Sequence, residues 1–522
     1  MAFMQFGWEY FRYTPIFQWP ITAIDSYGEG WGAVLAGGLV LPQLFFKLLS
    51  PMLPSNFQFL GIWTLVCFGL QGFCAERLFN RLGLGITERV IGAMSIVIAP
   101  AFLFRIGMTH LELSAHWLLL AALLVYVSDQ KQDFSKSFYV LCLVALLVNF
   151  YLFLMVFAIA IATQFKTFVL FKRNKHQALN SVLHVVSLTL FSGFIAWLLG
   201  AFSYSGSARG VGFFRLNLLA FFNAGYGFSE SFSWSRDVIP SLRTRVFFAQ
   251  EGEGFAYLGL IGLFGVAALL VLVPKWSTRR NWGLYMPLIV VAGAFFLVAL
   301  SNRIAVVRHE IVLPYPQSLV EARQIFRAAT RFSWIAYYLI LVFGWVGLCR
   351  LQKRARLAPI SLALLLIVGG IDQWRGVTAI RATFLSGSSW QNSLKSAEWD
   401  TLGSSSSRMY LFPTFDVQAD AEALPPGAET WLRGSGWADL VGFGAQHQLV
   451  TNFAYIPRPV DKQVDMANKW LQSALDNGTL PANSIIFFAR ELDWRNAQER
   501  SSGDYLAKTL DGYFVIVTRG GE

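Results

Sequence analysis

RVIGAMSIVIAPAFLF (residues 89–104) and LSAHWLLLAALLVYVS (113–128) flank the short polar stretch RIGMTHLE (105–112). Each apolar run is about long enough to cross a hydrocarbon core of roughly 30 Å as a helix, and the gap between them leaves room only for a turn. The stretch therefore reads as a transmembrane hairpin. Further apolar segments lie near 57–76, 137–148, 152–171, 181–203, 256–273, 283–301, 332–349 and 357–371. The chain is 55% hydrophobic and 14% charged, with a mean hydropathy of +0.49, more apolar surface than a soluble core of 522 residues hides. The fold class that follows is an all-α polytopic membrane domain of about ten spans.

The formal charge of +11 raises the question of nucleic acid, but Lys and Arg lie mainly in short runs between the apolar segments. No basic patch or nucleic-acid motif is present, and the runs set topology instead. Five sets alternate along the chain: Arg77, Arg81 and Arg89; Lys131 and Lys136; Lys166, Lys172, Arg173 and Lys175; Lys275, Arg279 and Arg280; and Arg350, Lys353, Arg354 and Arg356. The positive-inside rule makes these cytoplasmic, which places 105–112, 149–151, 204–255, 302–331 and the tail after 373 outside. The expected location is a bacterial inner membrane, with the C-terminal domain periplasmic. AVLAGGLVLPQLFFKLLSPML (33–53) contains Pro42 and Lys47, and counting it as a span would reverse the rest. It reads as an interfacial or re-entrant helix on the extracytoplasmic side. The expected domains are a first loop (1–56), a membrane domain (57–373) and a small extracytoplasmic α/β domain (374–522). In that last domain apolar bursts RMYLFP (408–413), SIIFFA (484–489) and GYFVIVT (512–518) alternate with polar helix-like stretches such as DKQVDMANKWLQSALDNG (461–478). Cys67, Cys74, Cys142 and Cys349 lie in or beside apolar segments without metal-ligand spacing and read as buried apolar residues.

Polar residues gather in three places where chemistry could sit. In FRIGMTHLELSAHW (104–117), Arg105, His110, Glu112 and His116 occur within a few turns. They are either interfacial anchors or a site in which arginine and imidazole hold a phosphate and Glu112 or a histidine moves a proton. In AQEGEGFAYLGL (249–260), Glu251 and Glu253 meet the start of a span beside glycines, as a solvated loop end or as binding carboxylates. In FRAATRFSWIAYYL (326–339), Arg327 and Arg331 are spaced i and i+4, as headgroup anchors or, on a cavity shared with His110, as a phosphate or pyrophosphate site. GWEYFRYTPIFQW (7–19) and the residues after it add Glu9, Arg12, Asp25 and Glu29 among many aromatics. No Walker A motif, H-E-x-x-H, G-x-S-x-G or Cys/His set is present, which argues against an ATPase, a zinc protease and a serine hydrolase. No metal and no cofactor is expected.

GWEYFRYTP (7–15), KLLSPMLPSNFQFLGIW (47–63), HLELSAHWLLLAAL (110–123), EGFAYLGL (253–260), FRAATRFSWIAYYL and NFAYIPR (452–458) together resemble a family of bacterial inner-membrane proteins placed beside the GT-C glycosyltransferases. The resemblance implies a GT-C-like fold and transfer of a sugar from a polyprenyl-phosphate donor to a glycan, lipid or protein acceptor. It also implies an acidic base in the first extracytoplasmic loop. The family's Asp falls at about Met1 here, so either the N-terminus is translocated unaided or a first helix is encoded upstream, and Glu9, Asp25, Glu29 or Glu112 would serve as the base. Arg12, Arg105, His110, His116, Glu251, Glu253, Arg327 and Arg331 would bind substrate. At Asn149, Phe150 and Tyr151 a His-Pro-Tyr turn is expected and only the tyrosine is kept. Two other classes stay open: a transporter or flippase of a lipid-linked sugar, which would show polar residues deep in its spans, and a non-catalytic scaffold with a periplasmic binding domain.

Overall fold

A computed structural model describes residues 7–9, 11–12, 22–26, 29–32, 39–128, 135–170, 175–202, 214–225, 234–235, 253–272, 279–307, 309–316, 318, 326, 328–356, 359–385, 393–414, 436–452, 461–500 and 505–518. The chain divides into two compact units. One joins Met1–Leu60, Ala196–Ser207 and Ser388–Glu522; the other joins Gly61–Ile195 and Ala208–Gly387.

The first unit opens with the antiparallel hairpin β1 (Thr22–Ser26) and β2 (Glu29–Gly32), followed by helix α1 (Val40–Leu48) and a 3₁₀ turn at Ser50–Met52. Nine residues rise only about 14 Å, so α1 is far too short to span a bilayer.

The second unit is helical. It runs through α2 (Leu60–Arg81), α3 (Ile86–Val97), α4 (Pro100–Gly107), α5 (Trp117–Ser128), α6 (Ser135–Val148), α7 (Phe150–Leu170) and α8 (Lys175–Leu198). Then come α9 (Gly259–Leu272), α10 (Arg279–Leu300), the hairpin β3 (Arg303–Val306) and β4 (His309–Val312), α11 (Trp334–Arg354) and α12 (Ile360–Leu385). All ten apolar segments read from the sequence fall on helices, but six stretches have the length and hydropathy to cross a membrane: 86–107, 111–128, 150–167, 178–198, 329–354 and 360–382. The expectation of ten spans is thus corrected to six among the described residues. Lys136–Val148, Gly259–Leu272 and Leu284–Leu300 are shorter apolar helices, and α2 carries Gln71, Glu76, Arg77 and Arg81 along its C-terminal half. At about 1.5 Å per residue, a 14-residue helix reaches about 21 Å, short of the hydrocarbon core. The chain is a membrane protein built on several such helices.

Local chemistry sets the breaks. Pro100 has no N–H to give the preceding turn, so the apolar run 86–107 is interrupted at Ile98–Ala99 and restarts with proline at the first position of α4. Gly83, in the left-handed region at φ 81, closes α2 while Leu84 N–H reaches Phe79 O (3.2 Å). Asn149 Oδ1 accepts Tyr151 N–H (2.9 Å) and caps α7, and Glu88, in the first turn of α3, accepts Gly85 N–H (2.8 Å). The last helix continues to Leu385, past residue 371 where the apolar run ends, because its first half packs on α9 while its polar residues find partners, as Asp372 shows below.

The C-terminal part of the first unit is the α/β domain: α13 (Glu398–Ser405), β5 (Arg408–Phe412), α14 (Gly436–Gln446), β6 (Val450–Thr451), α15 (Asp461–Asp476), β7 (Ser484–Phe488), α16 (Glu491–Arg500), β8 (Tyr505–Leu510) and β9 (Tyr513–Thr518). The sheet order is β6-β5-β7-β9-β8, with β6, β5 and β7 parallel and β9 antiparallel to both its neighbours. Every residue of β7 is buried, as a strand covered on both faces requires. Ile486, Phe488 and Ile516 pack with Leu471 and Leu475 of α15, while Phe487 stacks on Trp399 of α13 at 5.6 Å. The Asp511–Gly512 turn, both residues at positive φ, joins β8 to β9 with Leu510 opposite Tyr513.

Candidate functional site

Within the helical unit, three chain segments meet at one carboxylate. Arg105 ends α4 and is buried; it donates from Nη1 to Glu253 Oε2 (2.8 Å) and from Nη2 to the Glu253 backbone oxygen. Arg331, on the 3₁₀ turn Ala329–Ser333 that leads into α11, donates to the same Oε2 from Nε (3.2 Å) and Nη2 (2.9 Å). His110 Nδ1 lies 3.3 Å from Arg105 Nη1 and 3.7 Å from Glu253 Oε1. Aromatic rings hold the guanidiniums: Arg105 lies 5.2 Å over Trp334, and Arg331 4.7 Å over Tyr151, whose hydroxyl in turn accepts Ala328 N–H (2.9 Å). Gly254 packs tightly, since a Cβ there would lie 3.1 Å from Thr330 Cγ2, so the backbone after Glu253 lies against the Arg331 turn.

The charges shape one another. Burial pushes the Glu253 carboxyl upward, but Arg331, Arg105 and His110 together overcome it and hold the group well below the usual carboxylate range. Glu253 is therefore a fixed counter-ion and a poor proton acceptor. Burial lowers His110 to about 4; Glu253 opposes that and the two arginines add to it, so the imidazole is neutral at pH 7. Glu112, on the short 3₁₀ turn Leu111–Leu113, is within electrostatic reach of Arg331, Glu253 and Arg105, and its Oε2 is buried without a hydrogen-bond partner. His116 opens the next span, fully buried, with Nδ1 2.7 Å from the Tyr338 hydroxyl and its ring 4.2 Å from that of Trp334.

The sequence-derived residues thus divide. Arg105, His110, Glu112, His116, Glu253 and Arg331 lie in one neighbourhood of the helical unit. Glu251 and Arg327 lie outside the described residues, and with Arg327 the expected shared cavity with His110. Arg12 belongs to the other unit and has a structural part: its five N–H groups reach Ser50 Oγ (2.7 Å) and the backbone oxygens of Ser50, Leu53, Pro54 and Ser55. Lys47 adds a bond to Phe11 O (2.5 Å), so the two cations fix the segment around residues 11–12 to α1 and the turn after it. Glu9 is half-buried in the same unit. Asp25 and Glu29 lie on the β1–β2 hairpin, Asp25 opposite Gly30 and Glu29 opposite Ser26, with side chains outside the described residues. Among the described residues no three His, Cys, Asp or Glu side chains are grouped to hold a metal.

Sequence reading marked Tyr151 only as the kept residue of a turn and missed Trp334, Tyr338, Gln71 and Asp372. Asp372, buried in α12, accepts from Ser235 Oγ, Tyr257 OH (3.2 Å) and Leu260 N–H (3.1 Å). An acid and an amide adjacent in VGGIDQWRG were the available signal for it.

A family model described as "Domain of unknown function (DUF6311)" matches residues 1–374, and one described as "DUF6311 C-terminal domain" matches residues 398–518. The chain belongs to the DUF6311 family. No curated protein and no solved structure matches it.

Proposed function

We propose that this DUF6311 protein is a membrane-embedded sugar transferase of GT-C type that uses a polyprenyl-phosphate-linked sugar and a hydroxyl-bearing glycan, lipid or protein acceptor. The observation that carries the reading is Glu112: a carboxylate oxygen, buried and without a partner, beside two arginines whose charge a separate carboxylate already balances in part. In the reaction the acceptor oxygen bonds to the anomeric carbon as the bond from that carbon to the phosphate oxygen breaks. The leaving phosphate takes the electron pair, Arg105 and Arg331 stabilise its charge, and Glu112 takes the acceptor proton.

The test is transfer of labelled sugar from polyprenyl-phosphate donors by the purified protein in liposomes. Glu112→Gln is expected to lower the rate by about 10²- to 10⁴-fold without loss of fold. An unchanged rate in a folded variant removes Glu112 from the mechanism, and absence of transfer with every polyprenyl-phosphate sugar tried removes the reading itself.

A second reading has its own observation. Gln71, His116, Tyr338 and Asp372 are all buried on apolar helices, the polar interior that movement of a lipid-linked sugar across the membrane would use. Bilayer translocation of a fluorescent polyprenyl-phosphate sugar without formation of a glycosidic bond would favour it.

A further inference from the structure

We propose that His116 is a ligand-facing hydrogen-bond donor for a phosphoryl oxygen, and that Gln71 and Tyr338 are positioning residues that set the tautomer in which it donates. The inference deepens the proposed function and rests on its reading of the site as one that holds a phosphate ester.

Three helical segments supply the parts. Gln71 lies in the middle of α2, Tyr338 in the second turn of α11, and His116 at the entrance to α5, and none of the three is exposed to solvent. Gln71 Nε2 donates to Tyr338 Oη at 2.9 Å, and Tyr338 Oη lies 2.7 Å from His116 Nδ1. An amide nitrogen has only protons to give, so the phenol oxygen accepts from Gln71, and in the arrangement proposed it directs its own single proton to the imidazole. Nδ1 is then the bare nitrogen, the ring is neutral, and its one proton resides on Nε2. That Nε2 is buried and has no partner. The chain of bonds therefore ends in an N–H with nothing to receive it, which folding alone gives no reason to build.

The unmatched groups around it identify the ligand's chemistry. Arg105 Nε, Thr330 Oγ1 and Ser333 Oγ are also buried and unpartnered, on the same two segments of chain, and the Trp334 ring packs against both His116 and Arg105. All three, like His116 Nε2–H, are guanidinium N–H groups or hydroxyls free to donate, and the unpartnered acceptors near them are Glu112 Oε2 and Gln71 Oε1. A donor-rich set with one carboxylate fits a ligand rich in acceptor oxygens that also carries a hydroxyl. Phosphoryl oxygens beside a sugar or acceptor hydroxyl have that pattern. A neutral imidazole N–H suits a phosphoryl oxygen placed next to Arg105 and Arg331, because it adds a directed donor without adding a third positive charge.

The experiment uses the full chain in maltoside micelles, which carry no phosphate, with ¹⁵N-labelled histidine. The His116 signals are assigned by their loss in His116→Gln. The expected spectrum shows Nε2 protonated and Nδ1 bare. Tyr338→Phe is expected to give a mixture of both tautomers, and Gln71→Leu to shift the ring from the single form. Titration with a ten-carbon prenyl monophosphate is expected to move the Nε2–H signal, and its dissociation constant is expected to rise tenfold or more in His116→Leu and less in His116→Gln, which keeps an N–H donor. A matching titration with inorganic phosphate separates the sources: a response to the prenyl ester alone assigns a lipid phosphate, and an equal response to both assigns the phosphoryl group without its lipid. A bare Nε2 in the wild-type protein, or a Nε2–H signal that neither phosphate moves, overturns the inference. Neither readout depends on transfer, so binding without turnover defeats the transferase reading alone, and turnover with a bare Nε2 defeats this inference alone.

Discussion

At Glu253 one carboxylate faces two buried or nearly buried guanidiniums, and that ratio fixes what each residue can do. Removing the carboxylate charge leaves Arg105 without its counter-ion in a low-dielectric setting, where breaking a buried pair costs about 3–5 kcal/mol. Glu253→Gln is therefore expected to lower thermal stability in detergent sharply; a melting temperature unchanged from wild type would refute the counter-ion role. His110 gives a pH test. Its folded value of about 4 lies below the roughly 6.5 of an unfolded histidine, so unfolding takes up a proton between those limits. Its contribution to stability is complete above about pH 6.5 and declines as the pH falls toward 4. His110→Gln is expected to flatten that part of the stability profile, as measured by thermal unfolding across the same pH range. Sequence reading reached Arg105, His110, Glu253 and Arg331 because charge at the end of an apolar run is visible locally. It did not reach Gln71 and Tyr338, 267 residues apart, because a lone amide and a membrane tyrosine acquire meaning only when the fold joins them.

Between α9 and α11, glycine meets glycine. A Cβ on Gly265 of α9 would lie 2.9 Å from Gly344 Cα of α11, and one on Gly344 would lie 3.0 Å from Gly265 Cα, so backbone meets backbone and no side chain can move aside. Small residues permit this crossing, and dispersion between closely spaced helices supplies what a hydrophobic effect cannot supply inside lipid. Gly265→Ala and Gly344→Ala are each expected to destabilise by about 1–3 kcal/mol, the usual range for overpacking. The double variant is expected to lose less than the sum, since the first change already separates the helices. Gly293→Ala on α10, with nothing within 4 Å of the added carbon, serves as the control and is expected to keep the wild-type melting temperature. The apolar runs made every one of these helices legible, because hydropathy reports the surroundings of a segment. Span number was less so: three apolar helices are too short among the described residues, and α2 too polar, for an apolar run alone to imply a crossing. In the C-terminal domain the bursts marked β5, β7 and β9, while β8 escaped because YLAKTL is half exposed and weakly patterned. The Asp-Gly pair at 511–512, a hairpin signal in its own right, was the clue to it.

For the helical unit as a whole, contacts at two ends fix the relative direction of its parts. Glu88, at the start of α3, pairs with Lys353 at the end of α11 (2.8 Å), and Trp345 Nε1 donates to Glu88 O (2.9 Å). At the other end, Arg105 of α4 lies over Trp334, the first residue of α11. The stretches 86–107 and 329–354 therefore run antiparallel, with basic Arg350, Lys353, Arg354 and Arg356 at one end and the Arg105–Glu253–Arg331 cluster at the other. Positive charge resists translocation, so the end bearing these basic residues is expected to face the cytoplasm and the cluster to face outward. That orientation is what transfer from a lipid-linked donor to an extracytoplasmic acceptor requires. The four native cysteines are all buried, which makes labelling by introduced thiols clean. Met108→Cys, beside the cluster, is expected to react with a membrane-impermeant maleimide on intact cells, and Ala355→Cys, at the basic end, only after permeabilisation. The reverse pattern would turn the unit over in the membrane and place the site on the cytoplasmic face, where the proposed acceptor chemistry has no extracytoplasmic partner to serve.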